Sequence, residues 1–125
     1  MSEKIPLAIV GCGGMGHRHM YGLAELQESG LSPFTLVGVC DPNLDNANSL
    51  ADQAEERLGR RPQPVATLEE LAALCDVQAV DICTLPAHHH SVAVEAMERG
   101  WHAMCEKPVG LTSRACKIML EAAER

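Results

Sequence analysis

The chain has 125 residues, 46% of them hydrophobic and 22% charged, the usage of an ordinary globular domain with room for one core and not two. Ten basic residues against seventeen acidic ones leave a net charge of −7, which speaks against nucleic acid as a partner, and no apolar stretch reaches the roughly 20 residues of a membrane helix. Aromatic residues amount to 2%, namely Tyr21, Phe34 and Trp101, so the core has to be built from Ala, Val, Leu, Ile, Met and Cys.

The first ten residues, MSEKIPLAIV, put charges before a brief apolar run that ends in glycines, which is not a signal peptide. Residues 5–10 read as a buried strand, and GCGGMG follows at once. From Met15 the positions Met15, His19, Leu23 and Leu26 recur at helical spacing, and Gly30 with Pro33 ends that helix. FTLVGVC, residues 34–40, is a second strand rich in sheet-favouring residues. Asp41-Pro42-Asn43 turns into a helix whose apolar face is Leu44, Ala47, Leu50, Ala51, Ala54 and Leu58, closed by Gly59. Arg57, Arg60 and Arg61 read as a solvated turn.

A very short third strand is expected near Val65, and Thr67 with Glu70 has the spacing of a capping box opening a brief helix through Leu74. AVDICT is a fourth strand, followed by Leu85-Pro86 and a helix from about His90 to Arg99 that Gly100 stops. His102 to Cys105 make a fifth strand, and a last helix from about Ser113 carries Ala115, Ile118, Met119 and Ala122 on one face. The βαβαβαβαβα order predicts an α/β fold, a Rossmann-type doubly wound parallel sheet of about five strands with helices on both faces.

Six cysteines without a CxxC pair or regular spacing sit partly inside apolar runs such as VGVC, DIC and HAMC. There they act as small hydrophobes. With no export signal, a reduced, cytoplasmic setting is expected.

Gly11-Cys12-Gly13-Gly14-Met15-Gly16 matches G-x-G-x-x-G, a pattern with a mechanism only where it leaves a strand and opens a helix, as here. Gly11 permits the tight turn, Gly13 lets a pyrophosphate approach the backbone, and Gly16 lets helix and strand pack closely. The helix N-terminus then presents free N–H groups to the phosphates. Asp41 ends the second strand, 25 residues after Gly16, where its carboxylate can accept the ribose hydroxyls and would repel a 2′-phosphate. No Arg or Lys lies between Asp41 and Gln53, so NAD is favoured over NADP. The alternative, that Asp41 caps the following helix, is compatible with the same position.

His88, His89 and His90 are consecutive and cannot all face one ion from a helix or strand, so no metal is expected. Glu106-Lys107-Pro108 falls at the carboxyl end of the fifth strand, where open α/β sheets bind ligands. An ammonium there can hydrogen-bond a substrate hydroxyl and help move its proton; a surface ion pair is the plainer alternative.

Taken together, GCGGMGHRH, VGVCDPN, DICTLPAHHH and GWHAMCEKP resemble, in order and spacing, the N-terminal half of the glucose-fructose oxidoreductase and inositol dehydrogenase family, Gfo/Idh/MocA. The resemblance runs from residue 5 to residue 125. It implies a nicotinamide-binding Rossmann domain of enzymes that oxidise or reduce carbinols of sugars, cyclitols and related polyols. By the same resemblance Gly11, Gly13, Gly14, Met15 and Gly16 hold the pyrophosphate and Asp41 the adenosine ribose. Leu85, Pro86, His90, Glu106 and Lys107 would line the nicotinamide end, with Lys107 as the catalytic candidate. The family usually places Thr directly before the Pro; here Leu85 stands there, with Thr84 one position earlier, so a hydroxyl contact is replaced at best by backbone.

Family members continue into a second α/β domain that supplies an Asp and a His to work with the lysine, much of the substrate pocket and the oligomer interface. The chain is therefore expected to be one NAD(P)-binding domain over residues 1–125, cut short at its C-terminal end, of an enzyme that is a homo-oligomer when complete. A second reading is a non-catalytic NAD-binding module or partner subunit. A methyltransferase, which can use the same glycine loop, gives the Glu-Lys-Pro segment no role.

Overall fold

Five short runs of apolar and β-branched residues form parallel strands, and the segments between them form the helices that cover the sheet. The computed structural model describes residues 4–105 and 112–124. In chain order the elements are β1 (Ile5–Val10), α1 (Gly14–Glu28), β2 (Phe34–Cys40), α2 (Leu44–Leu58), β3 (Gln63–Val65), α3 (Leu68–Leu74), β4 (Ala79–Ile82), α4 (His89–Glu98), β5 (His102–Cys105) and α5 (Ser113–Glu124). A 3-10 turn, Pro86–His88, precedes α4. The sheet order is β3-β2-β1-β4-β5. The chain thus leaves β1 in one direction, returns, and leaves β1 in the other, which opens a crevice at the carboxyl ends of β1, β2 and β4.

Period-two alternation along β1 sends Ala8 and Val10 to one face and Ile9 to the other. One core layer joins β1 and β2 to α1 and α2 through Ile9, Met20, Val39, Leu50 and Ala51. The opposite layer joins the sheet to α3, α4 and α5 through Val80, Ile82, Leu71, Ala93 and Met119. Small residues dominate the helix faces: Ala47, Ala51 and Ala54 on α2 and Ala93 and Ala96 on α4 have no exposed surface beyond 1%. The low aromatic content is thereby accommodated, because alanine faces let helices lie close to the sheet.

Local signals explain the element ends. The Asn43 side chain accepts from the Asp45 N–H at 3.1 Å and Gly59 closes α2 at φ +82°, an N-cap and a left-handed C-cap. Thr67 Oγ1 accepts from the Glu70 N–H at 3.1 Å, as the capping-box spacing predicted. In β2 the pairing with β1 slips one residue between Leu7 and Ala8, and the Val37 carbonyl at that bulge takes the Cys75 thiol at 3.5 Å. Trp101 leads into β5 almost wholly buried, with the Arg99 guanidinium 5.9 Å from its ring centroid.

Three expected faces and one helix start differ; on α2 Leu44 is 46% exposed. In α1 the buried residues are Gly16, Met20 and Ala24, while Met15 is 41% and Leu26 40% exposed. Gly16, the one position where the helix can touch the β1 turn, sets the rotation of the helix, and its i, i+4, i+8 partners follow. On α5 Ala115, Met119 and Ala122 are buried and Ile118 faces out. Helix α4 begins at His89 rather than His90, behind the 3-10 turn. Strand β5 ends the sheet, and His102, Ala103 and Met104 on it are exposed. Among the described residues no helix is long and apolar enough to cross a membrane.

Candidate dinucleotide site

The turn after β1 is built around two glycines for different reasons. Gly11 sits at φ +98°, and a Cβ there would lie 2.6 Å from the backbone of Cys83 and Thr84, so the turn is pressed against the exit of β4. A Cβ on Gly16 would run into the Gly11 carbonyl oxygen, so α1 starts directly beneath the turn. Gly13 differs: a Cβ on it would meet nothing within 4 Å. It borders open space at the mouth of α1, where no side chain caps the helix and no acidic residue stands in the first turn. The first-turn amides, which lack intrahelical partners, are left to attract an anion.

Asp41 closes the opposite wall. Its Oδ2 accepts from the Cys12 N–H at 2.9 Å and its Oδ1 from the Asn43 N–H at 2.8 Å. The carboxylate therefore ties the glycine turn to the β2–α2 turn, and Asp41 borders the cleft. It is not the cap of α2, a role that falls to Asn43. Between these walls lies a cleft of about 550 Å³ bordered by Gly11, Gly13, Asp41, Asn46, Thr67, Thr84, Leu85, His88 and Ser91 among others.

The exit of β4 forms the third wall. His89 is buried at 1% exposure and its Nε2 lies 2.9 Å from the Thr84 carbonyl oxygen, which fixes the backbone around Thr84 and Leu85. Leu85 is 71% exposed and borders the cleft. His88 also borders it, and His90, one residue further into α4, does not. Pro86 stands in the 3-10 turn. Gly14 and Met15 are exposed in the first turn of α1, and Gly16 is buried under it. Glu106 and Lys107 lie outside the described residues.

Asn46 and Ser91 border the cleft without any sign of it in the sequence, His88 is the member of the histidine triplet that borders it, and Thr67 borders it besides capping α3. None of the four carries a local signal for ligand contact; the sheet order brings them to the crevice.

Two thiols under the cleft are strongly perturbed. Burial, and secondarily the Asp41 carboxylate, push Cys12 from the ordinary thiol value of 9.0 up to about 12. Cys40 rises to about 12 for the same two reasons, burial first. No disulfide joins any of the six cysteines. Below pH 9 both thiols are protonated folded and unfolded, and stability is unaffected. Between about pH 9 and 12 the unfolded chain releases protons that the folded chain keeps, so stability falls as pH rises. Urea titrations should show a decline on the order of 1 kcal/mol per pH unit for each thiol. Cys40→Ala should lessen that slope, and a slope unchanged from pH 8 to pH 10.5 would show that the thiols are solvated.

An open parallel sheet whose glycine turn feeds an uncapped helix, with a carboxylate closing the next strand, defines a dinucleotide-binding domain. The chain belongs to the Gfo/Idh/MocA oxidoreductase family with an NAD-binding Rossmann fold, whose pattern matches residues 5–125. It is 27% identical over 118 residues to an inositol 2-dehydrogenase of Burkholderia cenocepacia, covering 94% of this chain and 33% of that protein. It is also 27% identical, over 98% of its length and 25% of the other's, to glycosyl hydrolase family 109 protein 1 of Akkermansia muciniphila. Among solved structures, the WlbA dehydrogenase of Bordetella pertussis, in complex with NADH and UDP-GlcNAcA, superposes with a TM-score of 0.82 at 26% identity, covering 98% of this chain and 35% of that one. The chain thus spans about a third of the length of the inositol dehydrogenases it matches.

Proposed function

We propose that this chain is the NAD-binding domain of an oxidoreductase that moves a hydride between the nicotinamide and a carbinol of a sugar, cyclitol or related polyol. The observation that carries the reading is the cleft at the sheet switch point, with the open space at Gly13 before an uncapped helix and Asp41 across from it. Amides of Gly13, Gly14 and Met15 would hold the pyrophosphate, with Gly11 and Gly16 shaping the turn. Asp41 would accept the adenosine ribose hydroxyls, and its charge selects NAD over a 2′-phosphorylated dinucleotide. Leu85 and Pro86 would bound the nicotinamide end, with His90 behind them and Glu106 facing the nicotinamide ribose. Lys107 would pass the carbinol proton.

A nicotinamide bound here would supply the hydride acceptor or donor, and this chain's residues at the exit of β4 would orient it. The substrate pocket, the partner acid and base groups of Lys107 and the homo-oligomer contacts are assigned to the remainder of a longer protein. The reading is supported by the inositol dehydrogenase and sugar-nucleotide dehydrogenase relatives.

The test is a titration with NADH followed at Trp101, the only tryptophan. Trp101 precedes the strand that leads to Lys107 and should lie on the order of 15 Å from the nicotinamide at about 3.3 Å per residue. Its emission should fall while NADH emission excited through tryptophan rises, with NADPH much weaker. No transfer at millimolar NADH would overturn the assignment.

A further inference from the structure

Asp81, on β4, is the one carboxylate among the described residues buried to 2% exposure, and it does not border the dinucleotide cleft. A carboxylate in an apolar layer has to be balanced by a cation or by strong donors. Its neighbours are both metal-ligating side chains from different elements. His19 Nδ1, on the second turn of α1, lies 2.5 Å from Asp81 Oδ2. Cys83 Sγ, just past β4, lies 3.3 Å from the same His19 nitrogen and 3.6 Å from Asp81 Oδ1. One nitrogen, one oxygen and one sulfur donor therefore converge within 4.8 Å of one another. The His19 side chain is 25% exposed, which leaves a way in from the α1 side.

From this convergence we infer that His19, Asp81 and Cys83 form a site for a borderline divalent cation of the Zn²⁺ or Co²⁺ type, with a fourth position for water. A nitrogen, oxygen and thiolate set suits such ions and does not suit Mg²⁺ or Ca²⁺, which take oxygen. Ligand atoms about 2.0 to 2.3 Å from a tetrahedral zinc are roughly 3.3 to 3.6 Å apart. The two contacts of Cys83 already have that spacing. Those contacts reach Asp81 through Oδ1, whereas His19 meets Oδ2 at 2.5 Å, so the carboxylate has to turn one oxygen to the ion and move off His19 by somewhat less than about 1 Å. Binding forms one bond to Nδ1, one to a carboxylate oxygen and one to sulfur. The Cys83 thiol proton leaves to solvent, the proton that His19 Nδ1 holds against the Asp81 carboxylate moves to Nε2 or, where Nε2 already carries one, leaves to solvent, and no electron is transferred. The histidine triplet at residues 88–90 takes no part.

The experiment is a Co²⁺ titration of the whole chain in a thiol-free reductant, read by absorption. One ion per chain should bind, with a near-ultraviolet thiolate-to-cobalt band and intense visible bands of a tetrahedral site, and one equivalent of Zn²⁺ should bleach both. Cys83→Ser, which keeps size and fold, should abolish the thiolate band and weaken binding by at least about tenfold, since even indirect supports of a metal site are worth that much. His19→Asn should weaken binding similarly while leaving the thermal transition in place. Cobalt bound without a thiolate band, no cobalt bound at stoichiometric concentration, or a band that survives in Cys83→Ser because other cysteines supply it, would each overturn the assignment.

Discussion

Gly11→Ala is expected to destabilise the protein by about 3 kcal/mol or more, a fall in Tm of about 10 °C for a domain of this length. The effect has two sources. At φ +98° an alanine is strained, and its Cβ would lie 2.6 Å from the Cys83 carbonyl carbon and the Thr84 nitrogen, neither of which can yield without moving β4. The β4 exit is itself tied to β1 by the Cys83 N–H, which donates to the Val10 carbonyl at 2.7 Å. Gly13→Ala should behave in the opposite way. Its φ is −83° and the added methyl meets no protein atom within 4 Å, so stability should change by no more than about 0.5 kcal/mol. That methyl enters the space assigned to the pyrophosphate, and NADH affinity should drop by about tenfold or more. A melt and a dinucleotide titration on the two variants separate the roles. A Gly13→Ala protein that binds NADH normally would remove the phosphates from this turn.

Asp41→Ala should lose both properties together. Two backbone amides, of Cys12 and Asn43, lose their acceptor, and the link between the glycine turn and the start of α2 goes with them. At about 1 kcal/mol for each such hydrogen bond the loss is about 2 kcal/mol, and the ribose contact disappears besides. Asp41→Asn keeps one oxygen to accept an amide, so it should recover part of the stability and little of the discrimination against NADPH. If the asparagine variant retained full NAD preference, the charge of Asp41 would play no part in selecting the cofactor.

Much of this arrangement was legible in the residues because it is written in local chemistry. The strand runs, the cap residues Thr67 and Gly59 and the glycine turn all act within a few positions of themselves, and the elements they mark fall where expected, whereas the cap of α2 is Asn43 and not Asp41. The rotation of α1 was not legible, because His19, Met15 and Leu26 fit a helical stripe as well as Met20 and Ala24 do. Contact of Gly16 with the Gly11 carbonyl decides between the stripes, and that contact exists only in three dimensions. The same holds for Asp41, whose bond to Cys12 spans 29 positions, and for the His19–Asp81–Cys83 cluster, whose members are 62 and 64 positions apart. Which of His88, His89 and His90 borders the cleft depends on the 3-10 turn that sets the phase of α4. No residue type announces such a turn.

The measurement that bears most directly on the central claim is the NADH titration read residue by residue from amide chemical shifts. Binding at the switch point should move Gly11, Gly13, Asp41, Thr84 and Leu85, and leave unmoved the cavity at the other end of the strands lined by Lys4, Thr35 and Arg60. Shifts centred on that second cavity, with the glycine turn unperturbed, would contradict the account.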